Sequence, residues 1–433
     1  MNGPGSRRTA HEALDDWLDR RFEHGAPLEP LLGTLAAAGL DMGGVETLLR
    51  EGRSSYPEPS HPRGRLSEPM PLECEHVDHR TAYMACVPRE YDSRRSWPLV
   101  VIGHGGSVAR DLEFAAWAAR GGIEPSWCEA AEAHGLILLA PLTDRGWGAM
   151  GNSILFSAIS RATREYHVDP ERIYVTGHSM GGHLAWRCGI NFADRWGAVS
   201  PMSGGYDYVR DRQVENLANV PGYATWGSHE PFRIAEHNRA LRSYMEANAW
   251  PWVHCECEGG HEIFPGEIPR VAQFFLEHPR DQLRASVRAR AGGPLEFNAA
   301  DVCEDWGRAH TWRAGRPLPV STFHWLRLAP LPLGTPAEDA VQQVEALHRG
   351  DNAFEVASVN ARRLRLHFHP RMVDFSRDIT VVVNGARLFS GRVRPDLGTM
   401  LRLVREFDDR GRVFHAALDI EVPESLRRGP LPA

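Results

Sequence analysis

Gly177-His178-Ser179-Met180-Gly181 sets a serine between two glycines, each two residues away, where the apolar run 172–177 (RIYVTG) gives way to a helical pattern over 181–192. Side chains at the glycine positions would collide in so tight a strand-to-helix turn, and the turn would hold Ser179 in a strained, exposed conformation. The hydroxyl would then project from the end of a sheet. The Met180 amide would lie at the helix start, where negative charge is received. A serine hydroxyl is a weak nucleophile until a base accepts its proton, and an imidazole titrating near neutrality suits that task. Among 21 histidines, His261 stands out because Gly259-Gly260-His261-Glu262 directly follows the strand-like run 252–257 (WVHCEC) and precedes a helical segment. The chemistry within reach of these residues is nucleophilic acyl transfer.

A third group should orient the imidazole, and in the chain order Ser, acid, His it falls on the loop after the strand preceding the His-bearing one. Residues 225–232 (TWGSHEPF) occupy that loop, and Glu230 is the only carboxylate in it. Asp207, in Gly204-Gly205-Tyr206-Asp207 one strand earlier, competes for the role. Gly103-His104-Gly105-Gly106-Ser107 follows the first core strand. Gly106 is the expected second oxyanion donor beside Met180, with Ser107 next, and His104 is expected to tie the loop down through its ring nitrogens. Trp147, Tyr206, Tyr208 and Phe232 are candidate lining residues. Fewer than twenty residues separate Met202 from Gly222, too few for a large helical lid, so an open site for a bulky or polymeric acyl donor is expected.

The elements that must position these residues follow from periodicity. From Leu72 onward, apolar runs at 97–103, 136–140, 172–177, 197–202, 222–226 and 252–257 alternate with helical patterns at 112–120, 124–134, 152–167, 181–192, 233–247 and 266–278. That alternation predicts a mostly parallel sheet with helices on both faces, opened by a hairpin over 73–77 and 81–87. Residues 9–52 predict two or three short helices, for example 11–22 and 28–38, followed by a linker with five prolines between Pro57 and Pro71. After Arg280 the pattern predicts one helix at 337–348. Strands follow at 354–359, 363–369, 379–383, 386–393, 401–406 and 413–420, as in an antiparallel sandwich. Asn384-Gly385 marks a type I′ hairpin turn. The expected division is 1–67 helical extension and linker, 68–280 catalytic domain, and 281–433 mostly β.

Composition removes other classes. The 433 residues contain 49 basic side chains, all arginine, so a P-loop, a pyridoxal Schiff base and a Ser-Lys dyad are excluded. A net charge of −7 argues against nucleic acid or anionic membrane as partner. Residues 1–27 lack the apolar core of a signal peptide, and no stretch reaches 18 apolar residues, so a cytoplasmic enzyme without a membrane span is expected. Seven scattered cysteines suit reduced thiols. Cys255 and Cys257 would share one face of a strand, where core packing is favoured over zinc.

With these residues in hand, the stretch 72–279 resembles the α/β-hydrolase superfamily. The branch is that of polyhydroxyalkanoate depolymerase-like and feruloyl or acetyl esterase-like enzymes, related to prolyl oligopeptidase-type peptidases. The resemblance rests on Val87-Pro-Arg-Glu-Tyr-Asp92, Trp97-Pro-Leu-Val-Val101, His104-Gly105-Gly106, Gly177 to Gly182, Trp226-Gly-Ser-His-Glu230 and Gly260-His261-Glu262. It departs at Glu230, where the family usually has Asp. The resemblance implies an α/β-hydrolase fold and carboxylic ester hydrolysis without metal or cofactor. Peptide hydrolysis is the alternative, and a non-catalytic binding protein is a third reading. The C-terminal strands are expected to pack on the hydrolase or mediate self-association.

Overall fold

In a computed structural model the described residues are 4–23, 26–106, 111–206, 212–292, 313, 316, 322–331, 335 and 340–427. They fall into two compact units, one of the described residues between 57 and 280 with 313 and 316, the other of those between 4 and 56, between 281 and 292, and between 322 and 427. The chain opens with helices α1 (Pro4–Asp19), α2 (Glu29–Ala37) and α3 (Met42–Arg50). Asp41 caps α3 by accepting the Gly44 N–H at 2.8 Å, satisfying a donor the first turn leaves unpaired.

The first unit is built on eight strands: β1 (Met70–Glu73), β2 (Arg80–Cys86), β3 (Trp97–Gly103), β4 (Ile137–Pro141), β5 (Val168–His178), β6 (Val199–Met202), β7 (Gly222–Gly227) and β8 (Trp252–Cys257). They pair in the order β1-β2-β4-β3-β5-β6-β7-β8. β2 runs antiparallel to β1 and β4, and every later pairing is parallel. The opening hairpin exists, with its first strand three residues earlier than the sequence suggests. Helices α4 (Leu112–Ile123), α5 (Ser126–His134) and α9 (Ile268–Glu277) bury Ala115, Ala119, Trp127, Ala131, Val271 and Phe275 against Val100, Ile102 and Leu138 of the sheet. Helices α6 (Ala149–Glu165), α7 (Met180–Asn191) and α8 (Ile234–Ala247) pack on β4, on β5 and β6, and on β7 and β8. Leu99 and Val101, alternating with Val100 and Ile102, are buried as well. A strand buried on both faces must be apolar throughout, which is why these runs read without alternation.

The second unit carries β9 (Ser286–Gly292), β10 (Thr322–Phe323), β11 (Leu326–Leu328), β12 (Val341–Gly350), β13 (Ala353–Val359), β14 (Arg363–Phe368), β15 (Ile379–Val383), β16 (Ala386–Gly391), α10 (Leu397–Phe407) and β17 (Ala416–Glu421). Sheets β10-β11-β14-β17 and β16-β15-β13-β12-β9 share one core, including Leu364, Leu366 and Ile420 from the first and Val344, Phe354 and Val381 from the second. The pairing is antiparallel except between β13 and β15, which run parallel. The β15–β16 turn has positive φ at both Asn384 (49°) and Gly385 (80°), as a type I′ turn requires.

Two expectations are corrected here. Residues 341–350 form strand β12, not a helix, because Gln342, Val344 and Ala346 turn inward with period two and the strand pairs on both sides, with β9 and β13. Ladder pairing overrides the helix propensity of Glu345, Ala346 and Leu347. Residues 401–406 lie inside helix α10, not a strand. Asp396 caps it, and Met400, Leu401, Leu403, Val404 and Phe407 are its buried stripe. Met400, Leu401 and Val404 pack against Ala10, Leu14, Leu31, Leu35, Val45 and Leu48, so the N-terminal helices share a core with this C-terminal unit. Among the described residues no helix is long and apolar enough to cross a membrane.

Candidate functional site

Ser179 sits between β5 and α7 with φ 58° and ψ −116°, a conformation that costs a non-glycine residue free energy and is held by its surroundings. Those surroundings tolerate no extra atoms. A Cβ on Gly177 would lie 2.4 Å from the Gly103 carbonyl oxygen, and one on Gly181 only 1.9 Å from the same atom. Strands β3 and β5 therefore close directly on the first turn of α7. The Ser179 N–H donates to the Met202 carbonyl (2.9 Å), fixing the turn to the end of β6.

The Ser179 hydroxyl oxygen is 2.7 Å from His261 Nε2, and His261 Nδ1 is 2.6 Å from Glu230 Oε2. An ionised carboxylate can only accept, so the imidazole proton sits on Nδ1 and Nε2 is left to accept from the serine. Glu230 meets His261 because two loops interlock. Ser228 N–H donates to Cys257 (2.8 Å), His229 N–H to Gly259 (2.9 Å), and a Cβ on Gly227 would strike the Gly260 carbonyl at 2.1 Å. Burial pushes the Glu230 carboxyl up, but hydrogen bonds from His261, Ser203 and the Gly227 N–H outweigh it and hold it below the usual carboxylate range. Asp207 lies outside the described residues.

Ser203 was not singled out from the sequence. It is buried, follows β6 with φ 48°, and its hydroxyl donates to the Glu262 carbonyl at 3.1 Å while helping to hold the Glu230 carboxyl down. Its sequence signal is slight, a serine before Gly204-Gly205 at a strand end. A buried hydrogen bond is worth about 0.5–1.5 kcal/mol, and this one anchors the residue after His261 beside the Glu230 charge. Ser203→Ala is therefore expected to lower any Ser179-dependent kcat by about tenfold with KM nearly unchanged. Steady-state kinetics on one substrate check this, and an unchanged kcat would remove Ser203 from the site.

His178 packs beside His261, ring centroids 4.9 Å apart. Burial, and then the nearby His261, push its pKa down to about 4, so it adds no positive charge next to the candidate base at neutral pH. His104 is buried, with Nδ1 2.8 Å from the Gly105 carbonyl and Nε2 accepting the Thr143 N–H at 3.1 Å. Burial takes it to about 4 as well, so this neutral ring staples the loop that carries Gly105 and Gly106. Gly106 has φ +114°, and a Cβ there would meet Phe114 at 2.5 Å. Gly106 and Met180 flank Ser179 from the β3 loop and the α7 start. Ser107 lies outside the described residues.

A cavity of about 430 Å³ borders Ser179 and His261. Its wall includes Gly105, Gly106, Phe114, Trp117, Gly121 and Ile263. The proposed lining residues are elsewhere. Trp147 is fully buried, its indole N–H donating to the His104 carbonyl at 3.0 Å, so it braces the loop from behind. Phe232 is 85% exposed and, like the half-buried Tyr206, does not line this cavity; Tyr208 lies outside the described residues.

Among the described residues two clusters gather three side chains of metal-ligating type. Glu46, His369 and His415 bring three ligand atoms within 4.8 Å. However, His369 Nδ1 accepts the Arg371 N–H (3.1 Å), which places its proton on Nε2, facing Glu46, where a metal would need a lone pair. Arg50 also donates to the Glu46 carboxylate at 2.9 Å. Cys255 and Cys257 lie on one face with sulfurs 3.6 Å apart, but burial raises both thiols, Cys257 to about 12. Their third partner Glu267 already accepts from Tyr223 and Arg270. In each set hydrogen bonds already occupy the carboxylate.

The strand order and the glycine-flanked serine elbow are those of the α/β-hydrolase fold. No protein-family model matches the chain. Among curated proteins it is similar to the bifunctional acetylxylan esterase/xylanase XynS20E of Neocallimastix patriciarum, at 20% identity over 207 residues. That match covers 45% of this chain and 29% of the relative, so the chain spans under a third of that protein's length. Among solved structures it is similar to a thermostable esterase (22% identity, TM-score 0.41, covering 49% of this chain and 63% of that one). It is similar as well to a ferulic acid esterase (16% identity, TM-score 0.41, 49% and 98%).

Proposed function

We propose that this chain is a serine hydrolase that cleaves carboxylic esters through an acyl-serine intermediate. The observation that carries the reading is the continuous hydrogen-bonded line from Ser179 through His261 to Glu230, at 2.7 and 2.6 Å. In the proposed reaction the Ser179 oxygen attacks the ester carbonyl carbon as its proton passes to His261 Nε2. The amides of Gly106 and Met180 receive the charge on the carbonyl oxygen. Glu230 stabilises the imidazolium. Collapse breaks the bond to the alcohol, which leaves with the proton from His261, and water activated by the same ring releases the acid and restores Ser179. The name of the acetylxylan esterase relative makes acyl esters on a polysaccharide one candidate substrate. A fluorophosphonate probe should label Ser179 covalently, since only an activated serine reacts. p-Nitrophenyl acetate should turn over at least a hundredfold faster, in kcat/KM, than aminoacyl p-nitroanilides. The reverse order would favour a peptidase, and absence of labelling would favour a binding protein on a hydrolase scaffold.

A further inference from the structure

Helix α4 has apolar residues on two faces. Ala115, Ala119 and Ile123 recur at four-residue spacing and are buried in the core. Phe114, Trp117, Ala118 and Gly121 follow i, i+3, i+4, i+7 spacing, the mark of a second stripe, and all four line the cavity beside Ser179. A surface helix ordinarily gives that second face to charged side chains. Here Trp117 stands 70% exposed at the cavity wall, its ring 5.5 Å from that of Phe114. Solvated tryptophan is unusual enough to call for a partner, and the cavity supplies the place.

Gly121 and Gly122 strengthen the point. Two successive glycines weaken a helix, yet neither has φ in the left-handed region nor a backbone crowded against it. A Cβ on Gly121 would meet nothing within 4 Å, and one on Gly122 only Ile263 at 3.9 Å. What the missing side chains leave is space. Among the described residues the cavity wall includes His104, His178 and His261 but no aspartate, glutamate or arginine. Burial holds His104 and His178 neutral near pH 7.

We infer that the Phe114, Trp117 and Gly121 face of α4 is a specificity subsite that binds a flat, uncharged aromatic group of the ester against the Trp117 indole. This rests on the ester-hydrolase reading above. Either side of the scissile bond could carry that group, and substrates distinguish them: phenyl acetate has an aromatic alcohol, methyl 3-phenylpropanoate an aromatic acyl chain, and ethyl acetate neither.

Trp117→Ala should lower kcat/KM at least tenfold, mainly through KM, on one or both aromatic esters and less than twofold on ethyl acetate, with Trp117→Phe retaining most of the difference. Gly121→Leu should raise Tm, because leucine favours helix, while lowering kcat/KM for the same aromatic ester about tenfold or more by filling the space. Equal losses on all three esters, or no loss on any, would overturn the subsite. Fluorophosphonate labelling of the same preparations separates the two claims. Labelled enzyme without aromatic discrimination refutes this inference alone, whereas unlabelled wild-type enzyme refutes the hydrolase reading beneath it.

Discussion

In Ser179→Ala, kcat/KM for a short carboxylic ester is expected to fall by about 10⁵- to 10⁶-fold, the scale on which triad nucleophiles are lost. The substitution deletes one oxygen, and with it the atom 2.7 Å from His261 Nε2. What survives should be the binding site and the oxyanion donors, which alone leave about 10³- to 10⁴-fold over water in such sites. Serine and alanine suffer similar strain at φ 58°, and among the described residues the hydroxyl forms no other hydrogen bond. Tm should therefore shift by no more than a degree or two, so that lost activity is not lost folding. Stopped assays with a fluorophosphonate-titrated wild-type control and a thermal melt on the same preparation check both halves. Activity within tenfold of wild type would end the proposal that Ser179 attacks the substrate.

The first unit was readable because its sheet is buried on both sides. A strand such as β3, whose bounds at 97 and 103 match the sequence reading, has nowhere to place polar residues and so shows as an unbroken apolar run. The elbow was readable for a related reason, since contacts as short as 1.9 Å permit only glycine at Gly181. Segment 341–350 was harder, because Gln, Glu, Ala and Leu favour helix locally and only pairing with β9 and β13 decides otherwise.

Within the site, the side chains of the hydrogen-bonded line Ser179–His261–Glu230 could be picked out from the sequence and those packed behind them could not. Chain order alone puts His261 after β8 and Glu230 after β7, next to the elbow. The Ser203 contact depends on a positive φ that no motif announces. The aromatic assignments failed most visibly. Trp147 and Phe232 sit on loops that follow β4 and β7, yet one points into the core and the other into solvent, while Trp117 reaches the cavity from a helix. A place on a loop that follows a parallel strand says little about which way a large side chain turns. The α4 pattern could have shown it, because a helix with two apolar stripes must put one of them somewhere other than the core.

Glu230→Gln should lower kcat by about 10³- to 10⁴-fold, the scale seen when a triad acid becomes an amide. The two side chains have nearly equal volume, so the loops at 228–230 and 258–261 can stay in place. What changes is charge and donor polarity. Glutamine can offer an N–H to Nδ1, which moves the imidazole proton to Nε2 and leaves no lone pair toward Ser179. Turned the other way it accepts from Nδ1–H but cannot stabilise the imidazolium that attack creates. Because hydrogen bonds hold the Glu230 carboxyl below its ordinary range, it stays ionised as pH falls through 5 and loses its charge only well below that. Glu230→Gln should therefore be slower than the wild type at every pH between 5 and 8, where the wild-type carboxylate is charged throughout. Glu230→Asp should fall between the two, since one methylene less pulls the carboxylate back from a 2.6 Å contact. Asp207→Asn should stay within threefold of wild type across that pH range. If Asp207→Asn is instead the crippled variant and Glu230→Gln is active, the acid belongs to the loop after β6, and the 2.6 Å pair with His261 is a structural contact.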